Sequence, residues 1–135
     1  MSSADAQIKP LASHRMTTWQ GLSARPYAFW AYSFEENLPA APGVYAYART
    51  VNGSDNWQIF FIGETDNFAE AILEDDMCES AREMGATHIM LHCQGGGDAP
   101  RLEVEGDLMA SLDPPLNQDT TLEAEPAPVL VAIGG

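Results

Sequence analysis

Two strand-like segments, Val44 to Thr50 and Trp57 to Ile62, stand on either side of "VNGSDN", and this pairing constrains the fold more than any other feature of the chain. Asn-Gly is a strong hairpin signal because its residues accept the positive φ of a tight turn. Side chains of the first segment alternate, as they do where the two faces of a strand differ. The stretch "LPAAPG" before it supplies a Pro/Gly stop. The pattern predicts a β-hairpin that ends at Gly63.

After the hairpin the spacing changes. In "IFFIGETDNFAEAILEDDMCE", Ile59 to Glu79, Asp66 or Asn67 is placed to cap a helix, and Phe68, Ala71 and Ile72 fall on one stripe. A second helical pattern, about Asp76 to Met84, stops at Gly85. "THIMLHCQ" reads as a third strand, "GGGDAP" as a loop, and Arg101 to Leu112 as a last helix ended by Asp113-Pro114-Pro115. "YAFWAYSF", Tyr27 to Phe34, is aromatic and strand-like, suited to an edge strand or a packed lead-in. The expected fold is α+β, sandwich-like, with a small central antiparallel sheet of about three strands flanked by helices. Residues 1–18 read as a flexible arm, 19–117 as the domain, and 118–135 as an acidic, proline-bearing tail that closes on "PVLVAIGG".

Charge limits what this domain can hold. The 135 residues carry a net charge of -14, with 20 acids against six scattered bases, Lys9, Arg15, Arg25, Arg49, Arg82 and Arg101. Nucleic-acid binders gather cations on one face to neutralise phosphates and release counterions, so this balance argues against a nucleic-acid partner. The stretch Ile59 to Glu79 alone holds seven acids and no Lys or Arg. An apolar fraction of 45% is nevertheless ample for a packed core. Cys78 and Cys93 have no CxxC or Cys/His spacing and read as reduced thiols; Cys78, among acids, is not expected to be a reactive thiolate. No apolar signal core and no membrane-length apolar run is found, so a cytoplasmic protein without a membrane partner is expected.

Three motifs occur in order: "GVY" (Gly43 to Tyr45), "FIG" (Phe61 to Gly63), and the spaced set Glu105, Leu108, Met109, Pro114, Asn117. Together they resemble the GIY-YIG nuclease superfamily over about Pro42 to Asn117, and the aromatic lead-in with "PGVY" and "GATHI" resembles its small bacterial single-domain members. The resemblance implies a small antiparallel sheet flanked by helices. In active members, tyrosines and a divalent metal, Mg2+ or Mn2+, activate or position water. An arginine on the first helix stabilises the phosphate, and a glutamate on the last helix holds the metal. Tyr45 matches the first tyrosine, Glu105 the metal-holding glutamate and Asn117 the late asparagine. Phe61 replaces the second tyrosine, and Ala71, flanked by Glu70 and Glu74, stands where the arginine belongs. Losing one preorganised donor to transition-state charge costs roughly 100- to 1000-fold in rate, and here two such groups are missing.

The sequence therefore favours a nuclease-like domain without catalysis, an acidic accessory or protein-binding module. Its expected partner is basic and docks on Glu70, Glu74, Asp75, Asp76 and Glu79. A weak metal-dependent endonuclease that keeps Tyr45 and Glu105 and takes its cation from Arg82 or a partner is the alternative; a DNA-mimicking inhibitor is a third reading. Each residue also has a plainer role: Tyr45 in packing, Glu105 paired with Arg101, Asn117 in a turn, the acids as a solvated helix face. His88 and His92, i and i+4 on a strand and so roughly 13 Å apart, cannot share one metal.

Overall fold

The computed structural model describes residues 15–52 and 56–117. Five strands, β1 (Met16–Gln20), β2 (Pro26–Ser33), β3 (Gly43–Thr50), β4 (Trp57–Thr65) and β5 (His88–Cys93), form one antiparallel sheet in the order β1-β2-β5-β3-β4. Helices α1 (Phe68–Leu73) and α2 (Asp76–Glu83) lie between β4 and β5, and α3 (Asp98–Leu112) follows β5. The architecture is α+β, as expected.

The sheet is larger than the three strands expected. "YAFWAYSF" supplies β2, which is internal rather than an edge or lead-in: it pairs with β1 on one side and β5 on the other. Strand β1 begins inside the stretch read as an arm. Its polar face hid it, because Trp19 is its one buried side chain. Non-local pairing of β2 with a strand far along the chain leaves no local sequence mark. Residues 1–14, the turn residues 53–55 and the tail 118–135 lie outside the described residues.

The hairpin is present and carries one irregularity. Tyr47 opposes Phe61 and Ala48 opposes Ile59, so Phe60 is an extra residue in β4. A bulge of this kind turns two consecutive side chains to one face. Phe60 and Phe61 accordingly both meet the cluster beneath α1 and α2, while Ile59 and Ile62 meet the opposite one. Strand β3, paired on both edges, alternates between the two: Val44, Ala46 and Ala48 face α3, and Tyr45 and Tyr47 face α1 and α2.

Helices cover both sheet faces. Val104 and Leu108 of α3 pack on Trp19, Phe29, Ala46, Ile62 and Met90. Phe68 and Ile72 of α1 and Ala81 of α2 pack on Tyr47, Phe60, Ile89 and Leu91. Asn67 caps α1, its Oδ1 accepting from the Ala69 N–H at 3.0 Å, and Asp75 caps α2 through the Met77 N–H at 3.0 Å. These caps are four residues past Gly63 and two past Leu73, so the two helices are short and joined at a sharp corner. Helix α3 starts at Asp98, three residues earlier than expected, with Pro100 in its first turn where a missing N–H costs nothing. No helix among the described residues is long and apolar enough to cross a membrane.

Candidate functional site

Tyr45 and Tyr47 are two apart on β3 and so point to the same face. Their hydroxyls converge on one carboxylate at the α1–α2 corner: Tyr47 donates to Asp75 Oδ2 at 2.7 Å and Tyr45 donates to the same oxygen at 3.2 Å. Oδ1 of Asp75 meanwhile accepts from the Met77 N–H. One half-buried aspartate thus caps a helix and holds two tyrosines. Burial, then the Asp75 charge and its hydrogen bond, push the Tyr45 phenol well above its ordinary range. Tyr47 moves further in the same direction, by burial first and then by the Asp75 hydrogen bond. Both hydroxyls stay protonated and serve as donors.

Gly63 makes room for this arrangement. A Cβ at position 63 would lie 2.6 Å from both Cζ and the hydroxyl oxygen of Tyr45. The glycine of "FIG" is therefore a place for the Tyr45 ring. Phe61 completes the aromatic group, stacked on Tyr47 with ring centroids 5.9 Å apart and planes 21° apart. Phe61 supplies a ring to the group, and the hydroxyls in it come from Tyr45 and Tyr47.

Glu105 reaches the same region from α3. Burial, with the neighbouring Glu64 charge, raises its carboxyl above the ordinary range, and it adds to the field that raises Tyr45. It is not paired with Arg101 as the i-4 spacing suggested. The Arg101 guanidinium, only 5% exposed, instead donates to Glu64 at 2.8 Å and to Asp98. Two carboxylates on a nearly buried arginine leave Glu64 engaged, and among the described residues no cation is paired with Glu105.

Asn117 lies elsewhere and does something different. Its Oδ1 accepts from the Ile62 N–H and its Nδ2 donates to the Ile62 carbonyl, each at 2.9 Å. The side-chain amide imitates a neighbouring strand on the edge of β4 where, among the described residues, no strand lies beyond it. Ala71, the position of the expected arginine, sits on α1 between buried Phe68 and Ile72, with exposed Glu70 and Glu74 close by in sequence. Arg82, the substitute cation, lies over the Phe34 ring at 4.7 Å.

The acids expected to form a docking face separate into two groups. Glu74, Asp76 and Glu79 border an open hollow of about 760 Å³ with Asp75, Leu73 and Arg82, joined there by Glu83, which is not among the expected acids. Glu70 is exposed but does not line it, and Asp75 is turned toward the tyrosines. Burial also raises the Cys78 thiol, while Arg82 opposes the rise and Asp75 adds to it.

The structure thus groups Tyr45 and Phe61 with Tyr47 and Asp75, leaves Glu105 and Glu64 acting on Tyr45 through their charge, and makes Asn117 a pin on β4. Sequence reasoning missed Tyr47 and the inward role of Asp75. The i, i+2 spacing of "YAY" was the signal for the first; nothing local marked the second. A divalent ion fits these residues poorly. Among the described residues Glu64 is bound by Arg101, and no group of three His, Cys, Asp or Glu side chains is arranged to hold a metal. The face is negative, hydrogen-bonded within itself, and suited to attracting cations. Comparison with protein-family models, with curated proteins and with solved structures gave no match to this chain.

Proposed function

We propose that the chain is a GIY-YIG-like domain whose nuclease site is degenerate, and that it works as an acidic accessory module that docks a basic protein. The observation that carries this reading is the joint hold of Asp75 on Tyr45 and Tyr47. A tyrosine that positions water for attack on phosphorus needs a free hydroxyl beside a cationic phosphate site. Here the hydroxyl is engaged by a carboxylate, its phenol is harder to ionise, and the charges that act on it are those of Asp75, Glu105 and Glu64. A phosphodiester brought to this place meets repulsion on each side.

One observation favours the second reading, a weak metal-dependent endonuclease: Glu105 lies within electrostatic reach of Tyr45, as the family arrangement requires. A nuclease assay on plasmid and branched DNA with Mg2+ or Mn2+ separates the two. Under the docking reading no cleavage above buffer is expected, from the natural chain or from Glu105→Ala. Cleavage by the natural chain that Glu105→Ala abolishes would establish the endonuclease instead.

A further inference from the structure

Beside the acidic hollow lies a second cleft, of about 460 Å³, and its lining is largely apolar: Phe34, Leu38, Ile72, Leu73, Cys78 and Ile89. The two share Ile72, Leu73, Cys78 and Arg82, so they form one continuous surface across the α1–α2 corner. Leu73 stands on the divide between them, 87% exposed on a chain that buries most of its large apolar side chains. Leu73 and the apolar cleft lining together form a contiguous apolar patch, the kind of surface that marks a contact site.

Charge selects the occupant. The acidic side carries Glu74, Asp76, Glu79 and Glu83, all exposed, and the far wall of the cleft adds Glu36. Among the described residues Arg82 is the one cation lining either hollow, and its guanidinium lies on the Phe34 ring as part of the cleft wall. A wholly apolar segment would leave these carboxylates facing low-dielectric material, and a second copy of this chain would bring the same negative charge. The complementary ligand has apolar side chains along one side and lysines or arginines along the other.

Resting on the docking role proposed above, we infer that this corner binds a basic amphipathic helical segment of another protein. Its apolar face enters the cleft around Leu73, and its cations lie over Asp76, Glu79 and Glu83. Helix-in-groove recognition uses anchors at i, i+3, i+4 and i+7, and a charged rim that sets register and speeds encounter.

The test uses the full chain, labelled with 15N, and two synthetic peptides of identical Lys/Leu composition. In one the leucines repeat at helical spacing; in the other they are permuted so that no apolar face forms. The amphipathic peptide is expected to shift amides around Phe34, Leu38, Leu73, Cys78 and Glu79 and to bind at least about tenfold more tightly than the permuted one. Leu73→Ser should weaken it about tenfold, the factor that loss of one leucine's burial gives. Asp76→Asn with Glu79→Gln should weaken it and flatten its salt dependence. Equal binding of the two peptides, or shifts centred elsewhere, would overturn the inference. So would sedimentation showing a dimer that Leu73→Ser disperses, or contacts of residues 128–135 in this cleft. Cleavage of DNA in the assay above, with peptide binding intact, would remove the non-catalytic reading and leave this surface standing.

Discussion

A single aspartate decides the chemistry of the aromatic corner. Asp75 accepts from two tyrosine hydroxyls and one backbone N–H, and an amide in its place has one acceptor oxygen for all three. Asp75→Asn is therefore expected to cost about 1–3 kcal/mol near pH 8, the range for leaving polar groups at a buried site unsatisfied. The same two tyrosines give the natural chain a distinctive alkaline limb. Their phenols are raised in the folded state, so the unfolded chain releases those protons first, near pH ~10. Their contribution is complete below that pH and is lost as pH rises toward the folded values, at about 1.4 kcal/mol per tyrosine per pH unit. Urea unfolding of the natural chain, Tyr45→Phe and Tyr47→Phe between pH 8 and 11.5 measures this. A limb equally steep in all three would show that these hydroxyls are not its source.

At the scale of elements, the fold was legible where its signals are local. The hairpin, the Asn67 cap, the stop at Gly85 and the last helix follow from turn chemistry, capping and spacing, all read within a few residues. The pairing of β2 with β5 and the polar strand β1 were not legible, because their partners are set by packing across the sheet. The site divides in the same way. Tyr45 and Glu105 could be found by motif, but Asp75 acts through the corner between two short helices, which spacing does not fix. Asn117, expected from the motif and alternatively as a turn residue, is bonded to the backbone of β4. Its amide closes both exposed backbone groups of Ile62 in β4, so Asn117→Ala should cost about 1–3 kcal/mol in urea unfolding. It should also raise hydrogen exchange at the Ile62 amide, whereas Glu105→Ala should leave that amide unchanged. Exchange at Ile62 unaffected by Asn117→Ala would remove the pin.

For the whole molecule the governing quantity is a net charge of -14 on 135 residues. Like charges at this density repel one another through solvent and weaken the compact state, and salt screens that repulsion over about 10 Å at 0.1 M. Raising NaCl from about 20 to about 500 mM is expected to add roughly 1 kcal/mol of stability, a Tm rise of about 4–8 °C for a domain near this size. The informative comparison sets MgCl2 against NaCl at equal ionic strength. Screening depends mainly on ionic strength, whereas an ion held at a defined site adds stability by RT ln(1 + [L]/Kd) on top of it. With Glu64 occupied by Arg101, the two salts should give the same curve to within about 2 °C, in the natural chain and in Glu105→Ala alike. A larger Mg2+ effect that disappears in Glu105→Ala would mean that α3 holds a metal after all.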